Sequence, residues 1–205
     1  MLRHVAVALT ALGVLAPVGF VAADDTIERP AAALQAAERT GNRVGPAPVA
    51  DPAPPPVPNV SVEMQRVLDL VNIERTSRGL VPLRFSAQLN AAALGHTQDQ
   101  AAVGDTYHTD PRNPSNTPRA RIIASGYRFS TWGENVAAGY RSPESVMRGW
   151  MTSEGHCRNI LNPAFTEIGV GHVTGGRVYG QFWTQKLGRP SGEPRPAGTY
   201  NPAWC

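Results

Sequence analysis

The segment from Trp150 to Gly171, WMTSEGHCRNILNPAFTEIGVG, constrains this chain more than any other stretch. It carries a tryptophan, a carboxylate (Glu154), a histidine (His156) and Cys157, one of only two cysteines. A helix signal precedes it. Ser142-Pro143-Glu144 supplies a cap and an N-terminal proline, and Val146, Met147 and Trp150 then face inward. A strand signal follows it. Glu167 to Val173 and Arg177 to Leu187 read as strands around Thr174-Gly175-Gly176, a hairpin turn. In the second strand, alternation puts Tyr179 and Trp183 on one face and Phe182 on the other. Chemistry-bearing side chains thus sit where a helix gives way to a sheet, at the edges of elements rather than within them.

The residues before this segment supply the other layers. Ser61 can cap a helix in which Met64, Val67, Leu68 and Val71 follow at helical spacing, with Arg75 and Arg78 suited to its C-terminal end and Gly79 to stop it. Ser86 caps a second helix with Leu89, Ala92, Ala93 and His96 on one face, which makes His96 a core histidine. Gly104 to Asn116 is loop-like, and Thr117-Pro118 opens a short helix through Ile122 and Ile123. Phe129 to Ala138 reads as a strand around Gly133-Glu134-Asn135. Helices on both sides of a few antiparallel strands predict an α+β domain.

The N-terminus predicts export. Arg3 and His4 precede an apolar run, Val5 to Phe20, and Val21-Ala22-Ala23 offers a cleavage site, so residues 1–23 read as a signal peptide. Residues 24–59 read as an Ala/Pro-rich linker that cannot build a core, the folded domain as 60–188, and 189–205 as a Pro/Gly-rich tail. Two cysteines in an exported chain predict a Cys157–Cys205 disulfide tying that tail back. The formal charge of +3 comes with no Lys/Arg block, which argues against nucleic-acid binding. After cleavage no membrane span is expected, and the protein reads as a secreted monomer.

Three polar segments remain. His108, Glu134, Glu154 and His156 lie on them, each at the edge of an element where a side chain can face a cleft. Two imidazoles with a carboxylate, His108, His156 and Glu134, can hold a divalent, zinc-like cation, or serve as acid and base without metal. A hydrogen-bonded network that holds loops over the sheet is the third possibility.

The segments YHTDP (107–111), WGENVAAG (132–139), Trp150 to Gly171 and FWTQKLG (182–188), in this order, resemble the CAP superfamily. That group comprises cysteine-rich secretory proteins, antigen 5 and pathogenesis-related proteins of group one, and the likeness is to its secreted bacterial branch. The resemblance implies a three-layer α-β-α sandwich with a small central antiparallel sheet and an open cleft. It implies that His108, Glu134 and His156 take the positions of the family's two histidines and Gly-Glu-Asn glutamate. Glu154 stands four residues after Trp150, one more than the spacing of the family's second glutamate. The function expected first is a secreted ligand-binding or signalling module for a small-molecule, lipid or peptide ligand. A metal-assisted, peptidase-like hydrolase is the alternative, and lipid or sterol binding the next.

Overall fold

The computed structural model describes Val57 and residues 59–205. The expected signal peptide, and all of the linker but Val57 and Asn59, lie outside the described residues.

Capping side chains start the helices. Ser61 accepts from the Met64 amide to open α1 (Val62–Thr76), and Ser86 accepts from Leu89 to open α2 (Ala87–Val103). Between them lies a two-residue strand, β1 (Arg84–Phe85). Thr117 caps α3 (Pro118–Ala124), and Ser142 and Ser145 form a reciprocal capping box at α4 (Pro143–Met151). The strands are β2 (Phe129–Ala138), β3 (Glu167–Thr174) and β4 (Gln181–Pro190). Between α4 and β3 the chain forms another helix, α5 (Glu154–Ile160), inside the segment that carries His156 and Cys157. No helix is expected there from sequence, because so short an element with Gly155 in its first turn shows little apolar periodicity.

The four strands run in the order β1-β3-β4-β2. The pairs β3–β4 and β4–β2 are antiparallel, while β1 joins β3 in parallel, so the sheet is antiparallel with one parallel edge. Helices cover both faces. Met64, Val67 and Val71 of α1, Val146 and Trp150 of α4, and Cys157 and Ile160 of α5 pack on Ile168, Val170, Trp183 and Leu187. Opposite them, α2 lies directly on β3. A Cβ at Gly169 would stand 2.1 Å from the Leu89 carbonyl carbon, and one at Gly171 2.3 Å from Thr97 Oγ1. Two missing side chains therefore let the helix backbone settle on the sheet. Alternation on β3 thus sends Ile168 and Val170 to one layer and glycines to the other.

Two expectations change. The second hairpin strand starts at Gln181, not Arg177, because Gly175, Gly176, Val178 and Gly180 all take positive φ and form a wide loop. Tyr179 consequently leaves the Trp183 face and sits edge-on to Phe182, ring centroids 6.0 Å apart. Arg75 stands in the last turn of α1, as expected, and its side chain turns inward. It is fully buried and donates to the carbonyls of Val81, Ile160, Asn162 and Phe165 at 2.7–3.1 Å, fastening α1 to the α5–β3 connection. The disulfide is present: Cys157 and Cys205 are joined with Cα atoms 5.8 Å apart, and Tyr200 and Trp204 of the tail pack against the main core.

Candidate functional site

Among the described residues β2 has no strand neighbour beyond β4, and its free edge is where the polar residues gather. Even-numbered residues of β2 turn toward α2 and α3, since Glu134 is paired with Lys186 on the same face. Odd-numbered Gly133 and Asn135 turn toward α5.

His108 reaches this edge on a tightly fixed loop. Asp110 accepts from the Arg112 amide at 2.9 Å and from its guanidinium at 2.8 Å, folding the loop on itself. The loop's entry is held by α2, where His96 Nε2 and Gln100 Nε2 both donate to the Tyr107 carbonyl, at 2.8 and 3.1 Å. Arg121 of α3 donates to the His108 carbonyl and, at 2.8 Å, to the Asn116 carbonyl. The His108 side chain itself is about half exposed (53%) and its Nδ1 lies 2.8 Å from Glu134 Oε1. An ionised carboxylate only accepts, so His108 donates from Nδ1 and its Nε2 is left for the open side.

His156 arrives from the opposite layer. Asn135 donates to the His156 carbonyl at 3.1 Å and to Gln185 Oε1 at 3.0 Å, while Asn159 donates to the Glu134 carbonyl at 3.2 Å and to Asn135 Oδ1 at 2.9 Å. This amide ladder docks α5 on β2. Burial, and then the neighbouring His108 charge, hold the His156 imidazole below its ordinary value, so it is neutral at pH 7. The two imidazoles therefore share one edge.

Glu134 is the buried centre. Its Oε2 meets the ammonium of fully buried Lys186 and, at 3.2 Å, the Arg121 guanidinium, while His96 Nε2 stands 4.0 Å from Oε1. Burial alone would raise the carboxyl. The His108 hydrogen bond and the Lys186 and His96 charges outweigh it and hold Glu134 down at about 2. Burial pulls His96 down to about 4, which keeps it neutral beside two cations.

The expected cleft residues thus divide. His108, Glu134 and His156 come to the β2 edge. Glu154 does not join them: it is 70% exposed and pairs with Arg158 one turn along α5. Sequence reasoning missed Lys186, Arg121 and Asn159. Of these only Lys186 leaves a trace, as the single lysine of the chain, set between Trp183 and Leu187 in an apolar strand.

The three-ligand metal set does not fit this arrangement. Both Glu134 oxygens are engaged, and the nitrogens around it present N–H groups rather than lone pairs. At an effective dielectric of 20, a divalent ion 4 Å from a unit cation meets about 8 kcal/mol of repulsion. Among the described residues, no three His, Cys, Asp or Glu side chains are grouped to hold a metal.

A sheet enclosed by two helical layers, with two histidines carried to one free edge, defines a class of three-layer sandwich domains. The model of the cysteine-rich secretory protein family, CAP, matches residues 68–187, more than half of the chain, and the chain belongs to that family. It is similar to the uncharacterized protein YkwD of Bacillus subtilis, 39% identical over 130 residues that make up 63% of this chain and 48% of the relative. An extracellular SCP-domain protein of Bacillus anthracis is 35% identical, with a TM-score of 0.55 over 62% of this chain and 40% of that one. An outer surface protein of Borrelia burgdorferi, 19% identical, shares the fold with a TM-score of 0.57 over 63% of this chain and 93% of its own. The chain spans about half or less of the curated relatives it matches. No helix among the described residues is long and apolar enough to cross a membrane.

Proposed function

We propose that this chain is an exported ligand-binding module, whose cleft runs along the free edge of β2 between His108 and His156. The observation that supports this reading is the saturation of Glu134. A general base needs a pKa near working pH and a free oxygen to take a proton. Glu134 is held at about 2, with cations on one oxygen and His108 on the other. A hydrolase built on this carboxylate would start from a poor base. Two imidazoles on one edge, one of them anchored through Nδ1–H to Glu134 with its Nε2 turned outward, suit recognition of a small polar ligand or peptide. Export accords with the Cys157–Cys205 bridge, since such bonds persist in oxidising compartments.

The test is a screen of small polar molecules and short peptides against the full chain, read by NMR of histidine side chains. The reading predicts a compound that shifts both His108 and His156, with binding at least tenfold weaker in His108→Ala. Peptide turnover that Glu134→Gln abolishes would replace it with the hydrolase reading.

A further inference from the structure

Lys186 is the only lysine in a 205-residue chain whose other basic side chains are arginines. It is also fully buried, at 0% exposure. Strand pairing sets it opposite Glu134 on one side and Gly169 on the other. Gly169 lies under the α2 backbone with no room for a side chain, so Glu134 is the one carboxylate that pairing places beside the ammonium. An arginine here would bring a wide planar fork that asks for several acceptors. An ammonium is a compact point charge and fits a single carboxylate oxygen.

The remaining groups around Glu134 are fixed as well. Arg121 is tied to the Asn116 carbonyl at 2.8 Å and to the His108 carbonyl, so it cannot swing away to admit another cation. His96 spends its Nε2–H on the Tyr107 carbonyl, and His108 its Nδ1–H on Glu134. Each nitrogen facing the carboxylate is therefore a donor. Glu134, Lys186 and Arg121 together carry one net positive charge.

We propose that Lys186 is the resident cation of this site: its ammonium holds the place at Glu134 that a divalent metal ion would otherwise take. Glu134 is thereby a positioning residue for His108, not a metal ligand. The inference stands apart from the ligand reading above, because it concerns the buried side of the cluster and needs no ligand in the cleft.

The single lysine makes the test direct. Full-length protein labelled with ¹⁵N-lysine gives one side-chain ammonium signal, from Lys186 alone. The expected result is a signal slow to exchange with solvent and unmoved when zinc is added to wild type, whether or not zinc engages the exposed imidazoles. In Lys186→Met the local positive charge falls by one and Oε2 keeps only the 3.2 Å contact to Arg121, so zinc affinity rises at least tenfold over wild type. A Lys186 signal that zinc shifts or releases to solvent overturns the proposal, as does a folded Lys186→Met that binds zinc no better than wild type. Should Lys186→Met fail to fold, the labelled wild-type measurement decides alone.

Discussion

Replacing Arg75 with methionine keeps most of the side-chain length and removes every donor. In the native fold this guanidinium sits at 0% exposure and satisfies four carbonyls, two of them, on Ile160 and Phe165, in fully buried bonds. Burial pulls Arg75 down to about 10, so it remains charged at neutral pH. Each buried carbonyl left without a partner costs about 1–3 kcal/mol. Relief from burying a charge offsets part of that loss. The expected net destabilisation of Arg75→Met is about 3 kcal/mol, a large share of the roughly 5–15 kcal/mol that holds a domain together. For a domain of this size it lowers Tm by about 6–12 °C. Urea and thermal unfolding measure the loss, and amide exchange locates it. Protection should fall first at Leu161 to Phe165, the connection that Arg75 clamps. A loss under about 1 kcal/mol, within the range of ordinary surface changes, would refute the reasoning by showing that water replaces the guanidinium at no cost.

Other outcomes follow from the same geometry. Gly169→Ala puts a Cβ 2.1 Å from the Leu89 carbonyl carbon, so α2 must lift off β3; loss of cooperative unfolding, or a Tm drop larger than that of Arg75→Met, is expected. Cys205→Ser opens the bridge to Cys157 across a sequence separation of 48, with a loss of up to about 4 kcal/mol by chain-entropy reckoning, read by calorimetry, while thiol titration of the native protein finds no free thiol. Because the folded value of Glu134 is depressed from 4.5 to about 2, its contribution is complete above pH 4.5 and lost as pH falls toward 2. Melts of Glu134→Gln should therefore lose less stability across that window than wild type.

Much of the architecture is legible in the sequence because caps and periodicity are local. Ser61, Ser86, Thr117 and Ser142 each mark a helix start that the backbone follows, and Val67, Leu89 and Trp150 face the core their spacing predicts. The polar residues His108, Glu134 and His156 are legible as element-edge side chains, and the family resemblance groups them. What pairs with Glu134 is not legible. Lys186 enters through strand register and Arg121 through the packing of α3, and both are long-range facts with no local pattern. The partners of Arg75 are hidden for the same reason. A basic residue in the last turn of a helix suits the dipole, and only the tertiary fold turns it inward to carbonyls some 85–90 residues away. Glu154 lies beside His156 in sequence, yet one turn of α5 gives it to Arg158 and solvent.

A saturated Glu134 accepts from His108 Nδ1 and so fixes the tautomer of that imidazole. Long-range ¹H–¹⁵N correlation of the histidine rings in the full chain, at pH 8 and free of metal, reads the tautomer directly. The account predicts His108 protonated on Nδ1 with a bare Nε2, collapsing to a mixture of tautomers in Glu134→Ala. A wild-type His108 protonated on Nε2, or exchanging freely between the two forms, would contradict it.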